Sequence, residues 1–550
     1  MNILGLTAPI SSNTAACVIR DGELVALVEE ERFIGIKHAP KMTPKKSINY
    51  CLSSAGITID DVDYIAIGFD SPIKSGIKNV LQNIREANFS RLVRESGAYA
   101  EYFINMQRQI DFLESLSSKG NIQSKLVYID HHRSHASSAV RTSGYKDAVV
   151  ITLDGVGEDN AGMIGYFEGD RIHKLRSIPI NQSFGWLYGE VTALCGFKSH
   201  SHEGKTMGLA AFGKADLALF DGIAELTDDG YQLVHGFADT LRRRFRTRSK
   251  DEEITQYHKN IAATVQFFLE EAVLRVAQSV SLQCKSRNLA LAGGVALNCD
   301  MNYRLITSGC FDSIFVQPAA NDAGTALGAA LEVAAIKGGS TSNFKLSHAY
   351  YGPSYSNSEI EALLIESKIP YRKLSELSEV AKLINDGKIV GWFTGRMEFG
   401  PRALGGRSIL ANPAIKGMNE KINLECKHRE NWRPFAPSVL SEHCDEYFEN
   451  YHFSPFMLMT FKVKDEKREM LQSAIHVDGT ARVQEVTLEA NPRYYELIKE
   501  FYKLSGVAAV LDTSLNDREK PICLTPRDAI QTFYTTGLDV MVLENFILQK

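Results

Sequence analysis

Short apolar runs separated by polar turns open the chain. Residues 3–6, 15–19 and 24–28 are apolar, small polar residues at 11–13 follow the first run, and the Asp21-Gly22 pair separates the other two. Apolar runs bounded by such turn residues predict a meander of three β-strands.

The same order of elements returns further along the chain. Residues 148–153 are apolar, residues 154–157 form a turn that contains Gly155 and Gly157, and residues 162–167 are again apolar. A repeated unit of this kind predicts an internal duplication, and two such halves form the actin/sugar-kinase/Hsp70-like ATPase architecture. Two unrelated hairpins would give the same pattern.

A third glycine-rich turn suits a nucleotide. A helical pattern at 254–283 and an apolar strand at 288–291 precede Gly293 and Gly294, and Asn298 follows them. Glycine lets the backbone approach a ligand closely, and a helix begins after this turn.

The second part of the chain begins after a segment with the composition of a linker. Residues 337–343 are rich in Gly, Ser and Asn, which is typical of a linker. New strand patterns follow at 389–393 and 507–511. The sequence therefore predicts an α/β protein with two domains, at 1–345 and 350–550.

The composition is that of a globular protein of 550 residues, with 44% hydrophobic and 23% charged residues. The formal net charge of -5 gives no basic excess for nucleic acid. No apolar run approaches the ~18 residues of a membrane helix, and no basic leader precedes the first strand. The 9 cysteines show no CxxC pair. We therefore expect a cytoplasmic protein with neither nucleic acid nor a membrane as its partner.

Three histidines within five residues suggest a metal site. His131 and His135 are four residues apart and share one face of a helix, while Asp154 and Asp322 follow apolar strands and offer carboxylates. Two imidazoles with two carboxylates suit Fe, Mn or Zn better than Ca or Mg. A surface helix that happens to be rich in histidine is the alternative.

Two further segments suggest anion binding. Glu203 and Lys205 lie in a segment that resembles a phosphate loop without the P-loop spacing, so an ordinary helix start is the alternative. The second segment is a series of arginines among glycines, followed by basic residues and by a hydroxyl- and amide-bearing turn. Its candidate ligands are Arg402, Lys427, Arg433, Ser514 and Asn516.

Taken together, these motifs resemble the O-carbamoyltransferases of antibiotic and nodulation-factor biosynthesis, the family of tobramycin and cephalosporin carbamoyltransferases. The resemblance spans nearly the whole chain. It is carried by EEERF at 29–33 with Lys37-His38, DHHRSHASSA, LDGVGE, EGKTMGLAAFG, LAGGVALN, NDAGTALGAA, GPRALGGRSILANP, WRPFAP and DTSLN.

The resemblance implies a two-step enzyme. The N-terminal domain is similar to threonylcarbamoyl-transferring proteins and the C-terminal domain to threonylcarbamoyl-AMP synthase. The C-terminal domain would form carbamoyl-AMP from ATP and carbamoyl phosphate, and the N-terminal domain would transfer the carbamoyl group to a hydroxyl of a small molecule.

The resemblance also assigns residues. It makes His131, His135, Asp154 and Asp322 ligands of Fe(II) or another divalent metal, and it places Lys37 beside the carbamoyl-bearing intermediate. Nucleotide contacts fall on Gly155, Gly157, Glu203, Lys205, Gly293, Gly294 and Asn298. The carbamoyl phosphate and adenylate site falls on Arg402, Lys427, Arg433, Arg482, Ser514 and Asn516.

The first turn departs from the family pattern. Counting back from Asp21-Gly22, the family's catalytic His-Asp pair falls on Ser12 and Asn13. Serine does not accept a proton near neutral pH as imidazole does. Another base such as His200 or His202, an engineered inactive variant, and an acceptor that needs no strong base are three explanations. Loss of the base predicts slow transfer with intact adenylate formation.

Three other functions remain open at this stage. They are a tRNA threonylcarbamoylation enzyme, a sugar kinase of the same superfamily, and an impaired member that only binds nucleotide. The sequence does not identify the acceptor, although residues 71–125 are expected to form a helical segment near it. A homodimer is the commonest arrangement for such an enzyme.

Overall fold

The protein was analysed as a computed structural model that describes residues 1–77, 89–339 and 344–550. Residues 340–343 of the predicted linker and residues 78–88 of the predicted helical segment lie outside this part of the chain. Within the described residues, no helix combines the length and apolar character needed to cross a membrane.

The N-terminal sheets confirm the predicted duplication. The first sheet has the order β3-β2-β1-β4-β5, and the second, written from the opposite edge, has the order β8-β7-β6-β11-β12. In each, three antiparallel strands are followed by two strands parallel to the first. The strands are β1 Asn2–Leu6, β2 Ala15–Arg20, β3 Glu23–Glu29, β4 Tyr64–Ile67, β5 Leu126–Tyr128, β6 Asp147–Gly157, β7 Asn160–Glu168, β8 Arg171–Pro179, the separate hairpin β9 Ala224–Thr227 and β10 Gly230–Leu233, β11 Asn288–Ala292 and β12 Ser313–Val316. This doubled order is that of the actin/sugar-kinase-like ATPases.

One turn differs from its prediction. Strand β6 continues through Gly155 and Gly157 and ends later than expected, so the chain reverses at Glu158 and Asp159. Glu158 takes the left-handed backbone conformation there, with φ of 44°. The predicted glycine turn is therefore the end of a strand, because strand pairing with Asn160 continues to Gly157.

Helices cover both N-terminal sheets. They are α1 Glu30–Ile34, α2 Lys45–Ser54, α3 Phe89–Leu116, α4 His131–Ser143, α5 Phe184–Leu194, α6 Glu203–Ala210, α7 Phe237–Arg244, α8 Gln256–Gln283, α9 Cys299–Ile306 and α10 Ala323–Ile336. Helix α8 confirms the long helical pattern, and α4 places His131 and His135 one turn apart.

Helix α10 lies between the two halves of the duplicated domain. It is almost entirely apolar and buried, and it packs against β1, β2, β4 and α4. Its closest approaches require glycine: a Cβ at Gly328 would lie 1.7 Å from the Ser134 carbonyl oxygen, and a Cβ at Gly5 would lie 2.2 Å from the Ala326 carbonyl oxygen. These contacts fix the distance between the first turns of α4 and α10.

The C-terminal strands form an eight-stranded mixed sheet of order β13-β22-β21-β14-β15-β20-β16-β19, with β17 and β18 paired separately. The strands are β13 Arg372–Lys373, β14 Val390–Phe393, β15 Arg407–Ala411, β16 Ala436–Leu440, β17 Thr460–Lys462, β18 Thr480–Arg482, β19 Gln484–Val486, β20 Ala509–Ser514, β21 Val540–Leu543 and β22 Phe546–Gln549. The helices are α11 Asn357–Glu366, α12 Leu377–Asn385, α13 Met418–Glu425, α14 Cys444–Tyr447, α15 Pro492–Ser505 and α16 Pro526–Thr535. Strand β20 begins and ends later than predicted, so Asp512 and Thr513 lie within it.

Charged groups connect the EEERF segment to the arginine-rich segment. The Gly400 amide donates to Glu29 Oε1 at 2.6 Å, and Arg32 Nη2 donates to the Gly400 carbonyl at 2.8 Å. Glu29 and Arg32 are only 5% and 6% exposed. Burying charges is costly unless partners compensate them, so this contact holds the two parts of the chain in one arrangement.

A buried carboxyl in β20 makes stability depend on pH. Burial raises the pKa of Asp512 to about 8 against the hydrogen bonds that it accepts, including one from Tyr494 at 2.9 Å. In the unfolded chain the same group titrates near 3.8. Between these two values the unfolded state binds fewer protons, so the free energy of unfolding falls as pH rises.

We expect Asp512→Asn to remove that dependence. The amide keeps an acceptor for Tyr494 and carries no titratable proton, so the slope of up to about 1.4 kcal/mol per pH unit from this group should disappear. Melting temperatures between pH 5 and pH 8 measure it, with the exposed Asp465→Asn as control. Parallel curves for the wild type and Asp512→Asn would contradict the assignment.

Candidate metal centre and anion-binding site

Four predicted ligands converge at the start of α4 and α10. Asp130 caps α4 by accepting from the Arg133 amide, so the helix begins at His131 and both histidines face β6. Asp154 lies near the end of β6. Asp322 immediately precedes α10, whose close packing against α4 brings it to the same point.

The geometry of the four donors fits a metal ion. His131 Nε2 and His135 Nε2 are 3.1 Å apart, and Asp154 Oδ2 is 3.0 Å from His135 Nε2. Asp322 Oδ1 is 3.8 Å from His131 Nε2, and all four donor atoms lie within 4.8 Å of one another. Ligands about 2.1 Å from a shared ion are roughly 3.0–3.4 Å apart, so small adjustments complete the sphere.

Electrostatics favour positive charge at this point. Burial alone would lower the pKa of His131, yet the carboxylates of Asp154, Asp322 and Glu158 raise it to about 9. Glu158 also accepts a hydrogen bond from the His131 amide at 3.2 Å, which helps to fix the first residue of α4. The acidic surroundings would equally stabilise a divalent cation.

Three of the predicted nucleotide glycines border the metal centre. A Cβ at Gly157 would lie 2.2 Å from His131 Cδ2, so only glycine leaves room for that imidazole. A Cβ at Gly293 would meet the Leu153 carbonyl at 2.1 Å, and a Cβ at Gly294 would lie 3.1 Å from Asp154 Oδ1. Gly155 is less constrained, because a Cβ at this position would have Trp186 as its nearest contact, at 3.7 Å.

The other predicted nucleotide residues already have protein partners. The Asn298 side chain caps α9 and exchanges two hydrogen bonds with Gln266, at 2.8 and 3.0 Å. Glu203 accepts from the His200 amide. Lys205 forms an ion pair with Glu430 at 2.9 Å, which joins α6 to the C-terminal part of the chain. A nucleotide contact by any of them stays a prediction.

The first turn reaches the metal centre directly. The Ser12 amide and the Ser12 hydroxyl both donate to Asp322 Oδ2, at 2.7 and 2.8 Å. Asn13 contacts His38, whose ring sequence reasoning did not single out, although the Lys37-His38 pair was noted. The other proposed bases, His200 and His202, form contacts within their own segment.

Lys37 lies within electrostatic reach of the C-terminal part of the chain. Burial and the positive charges of Arg433, Arg32 and Lys205 lower its pKa, while Glu31 opposes them. Arg433 belongs to the C-terminal group of arginines, so the loop that carries Lys37 approaches that group across the boundary between the two parts of the chain.

Basic side chains form a cluster in the C-terminal part. Burial and the charge of Arg402 lower the pKa of Arg433, and burial together with Arg402 and Arg433 lowers the pKa of Arg482 to about 10. The Nε atoms of Arg402 and Arg482 are buried without a hydrogen-bond partner. Arg429, which was not among the predicted ligands, joins them: burial and Arg433 hold its pKa well below the usual range. Such a group of cations calls for an anion.

Lys427 is oriented by the turn after β20. Its ammonium donates to the Ser514 carbonyl at 2.7 Å and to Asn516 Oδ1 at 2.6 Å, and the Ser514 hydroxyl also donates to Asn516 Oδ1. Burial and the nearby Arg429 and Arg433 strongly lower the pKa of Lys427. The structure thus groups the predicted anion-site residues on adjoining elements.

Removing one donor should abolish tight metal binding. We expect His135→Ala to weaken Fe(II) affinity by more than about 100-fold, since even loss of a residue that supports a ligand costs 10–100-fold. Calorimetric titration of metal-stripped protein measures it. His132→Gln is the matched control, because His132 Nε2 faces the Asn160 carbonyl at 3.1 Å. Equal affinities for both variants would rule out this centre.

A methyl group beside His131 should have a similar effect. We expect Gly157→Ala to displace the imidazole and to lower metal affinity by at least about 10-fold, while Gly155→Ala, whose Cβ would be 3.7 Å from Trp186, keeps it. The same titration checks both variants, and thermal melting shows whether each remains folded. Unchanged metal affinity in Gly157→Ala would contradict the role of this glycine.

The chain is similar to two nodulation proteins. The chain is 37% identical to the nodulation protein NolNO of Sinorhizobium fredii, over 100% of this chain and 80% of that protein. It is 38% identical to the nodulation protein NolO of Bradyrhizobium diazoefficiens, over 77% of this chain and 79% of that protein.

A solved structure adds little. Component A of (R)-2-hydroxyglutaryl-CoA dehydratase from Acidaminococcus fermentans is 16% identical and covers 60% of this chain and 97% of its own, with a TM-score of 0.33. The fold assignment therefore rests on the doubled strand order.

Family profiles cover most of the sequence. Residues 2–331 match the profile described as the carbamoyltransferase N-terminus, and residues 381–550 match the one described as the carbamoyltransferase C-terminus. The resemblance seen in the sequence motifs is confirmed: this chain belongs to the carbamoyltransferase family and is a transferase enzyme.

Proposed function

We propose that this carbamoyltransferase forms carbamoyl-AMP from ATP, carbamoyl phosphate and one water molecule in its C-terminal part, releasing phosphate and pyrophosphate. It then transfers the carbamoyl group to a hydroxyl of a small-molecule acceptor at the N-terminal centre. The observation that carries the proposal is the cluster of Arg402, Arg429, Arg433 and Arg482 with Lys427. Burial and neighbouring arginine charges lower the pKa values of Lys427, Arg429, Arg433 and Arg482.

Adenylation explains why so many cations are needed. Carbamoyl phosphate and the ATP phosphates bring several negative charges together, and guanidinium groups bind phosphate oxygens in a bidentate manner. The unpartnered Nε atoms of Arg402 and Arg482 offer donors for them. Lys427, held by Ser514 and Asn516, adds a positioned ammonium against the anions.

The loop that carries Lys37 acts in the transfer step. An acceptor hydroxyl attacks the carbamoyl carbon of the adenylate, and AMP departs with the electron pair of the broken C–O bond. The Lys37 ammonium stabilises the oxygen that gains negative charge on the carbamoyl carbon. His131, His135, Asp154 and Asp322 would hold a divalent metal, with Fe(II) expected, which supplies positive charge toward the phosphate of the leaving AMP.

The alternatives give different products. A sugar kinase would yield ADP and has no use for the arginine cluster. A tRNA threonylcarbamoylation enzyme would modify tRNA in the presence of threonine and bicarbonate, although the net charge of -5 offers little to bind nucleic acid. A member that only binds nucleotide would show no turnover.

The first experiment omits any added acceptor. Protein loaded with Fe(II) is incubated with ATP and carbamoyl phosphate, and pyrophosphate and AMP are measured. We expect pyrophosphate release that depends on carbamoyl phosphate, and a loss of about 100-fold or more in Arg482→Gln, because that guanidinium contacts developing phosphate charge. Arg468→Gln, at a side chain 46% exposed, is the control.

Each alternative has its own outcome in this assay. ADP as the main nucleotide product would indicate a kinase, and threonylcarbamoyl-adenosine on added tRNA would indicate the tRNA enzyme. ATP binding without any pyrophosphate release would leave a binding protein and overturn the proposal.

A further inference from the structure

We propose that His38 is the general base that accepts the proton of the acceptor hydroxyl, in a chain that lacks imidazole at position 12. This inference rests on the proposed function and names the residue that its transfer step lacks. It follows from a chain of contacts that runs from the metal centre to the His38 ring.

The contacts begin at Asp322. Ser12 donates its hydroxyl proton to Asp322 Oδ2 at 2.8 Å, and Ser12 Oγ lies 3.3 Å from a terminal amide atom of Asn13. The other terminal amide atom of Asn13 lies 2.9 Å from His38 Nδ1. His38 Nε2 lies 3.3 Å from Ser201 Oγ. Thus a single run of polar atoms connects a metal ligand with one imidazole.

Proton counting fixes the orientation of the Asn13 amide. Since the Ser12 proton goes to a carboxylate, Ser12 Oγ acts as an acceptor toward Asn13 and needs the NH₂ group opposite it. A half-turn of the amide provides this and sets the carbonyl oxygen against His38 Nδ1. The Nδ1 atom then carries the ring proton and donates it to Asn13, so the lone pair of the neutral imidazole is on Nε2.

The free nitrogen faces a place that a hydroxyl can occupy. Ser201 Oγ, on the segment before α6, already approaches Nε2 at 3.3 Å, and His38 is partly exposed. The arrangement of nucleophilic hydroxyl, imidazole and amide carbonyl is the one that activates hydroxyl and thiol groups in other enzymes. An acceptor hydroxyl beside Ser201 would meet the same lone pair.

The His38 backbone is held in a costly conformation. His38 and Ala39 both have positive φ, of 67° and 43°, a backbone conformation that is unfavourable for residues other than glycine. The His38 amide donates to Glu31, its carbonyl accepts from the Thr14 amide, and the Thr14 hydroxyl donates to the Ala39 carbonyl. Strain that is fixed from several sides is typical of a functional position.

Burial and nearby positive charges favour the neutral form of the His38 ring. Burial lowers the pKa of His38 most. The charge of Glu31 raises this pKa, whereas the charges of Lys37, Arg32 and Lys198 lower it further. A neutral imidazole is the form that accepts a proton, so the base is available near neutral pH. Lys37, the neighbouring residue in the chain, is also the one proposed to stabilise the oxyanion.

Attack of the acceptor hydroxyl on carbamoyl-AMP moves one proton and exchanges one C–O bond for another. The acceptor O–H bond breaks and its proton goes to His38 Nε2, while the oxygen forms a bond to the carbamoyl carbon. The bond between that carbon and the phosphate oxygen breaks, and AMP leaves with the electron pair. The imidazolium then returns its proton to water.

The test separates adenylation from proton removal. Wild type, His38→Gln and the exposed control His235→Gln receive ATP, carbamoyl phosphate and Fe(II), with glycerol and water as hydroxyl nucleophiles or hydroxylamine as a nucleophile whose neutral amine needs no base. Pyrophosphate reports adenylation, carbamoyl glycerol and AMP report attack by hydroxyls, and hydroxyurea reports attack by the amine.

We expect His38→Gln to lose roughly 10²–10⁴-fold in attack by hydroxyls, the usual contribution of a general base. With hydroxylamine present, pyrophosphate and hydroxyurea should stay within about 2-fold of wild type, because attack by the amine continues to consume the adenylate. The acid limb of the wild-type rate of attack by hydroxyls should have an apparent pKa below 6.5, the ordinary histidine value. Adding Ser12→His to His38→Gln should restore attack by hydroxyls and change that limb.

Other results would overturn the inference. Attack by hydroxyls within about 3-fold of wild type in His38→Gln would show that the ring is not the base. A parallel loss of pyrophosphate, hydroxyurea and melting temperature would show a structural role. Absence of carbamoyl phosphate-dependent pyrophosphate in the wild type itself would instead refute the proposed function, and with it this step.

Discussion

The close packing of α4 against α10 is the contact on which the N-terminal centre depends. Because Gly328 has no side chain, the two helices approach until their backbones touch, and their first turns meet. The histidines of one helix and the carboxylate that precedes the other then face the same point. A larger residue at Gly328 would separate the helices, and no rearrangement of side chains could recover the ligand geometry.

Two sets of contacts lead away from the metal centre. Asp322 accepts hydrogen bonds from the amide and the hydroxyl of Ser12, which anchors the first turn. Asn13 in the same turn contacts the His38 ring. On the other side, the loop that carries Lys37 comes close enough to Arg433 for their charges to interact. The ion pair of Lys205 with Glu430 joins the same two parts of the chain.

Periodicity and motif order were sufficient for the duplicated sheets and for the helix that carries His131 and His135. They were insufficient where long-range contacts decide. The end of β6 looked like a turn because it contains two glycines, whereas Gly157 is small to make room for His131. The hydrogen bonds between Asn298 and Gln266 could not be read from the sequence, and the nucleotide contact of Asn298 stays a prediction. His38 was noted only as part of the Lys37-His38 motif, because its contact with Asn13 joins residues that are 25 positions apart in the sequence.

The buried contact between EEERF and Gly400 has a consequence for how such proteins evolve. Glu29 and Arg32 are compensated by backbone groups of Gly400, which belongs to the other half of the chain. If the C-terminal part were exchanged for that of a distant relative, the buried ion pair of Glu29 with Arg32 would lose its hydrogen bonds to Gly400 unless the incoming loop had the same shape. The N-terminal and C-terminal parts are therefore expected to be inherited together. They are expected to diverge at their outer loops, where new acceptors can be accommodated without disturbing the contact between EEERF and Gly400.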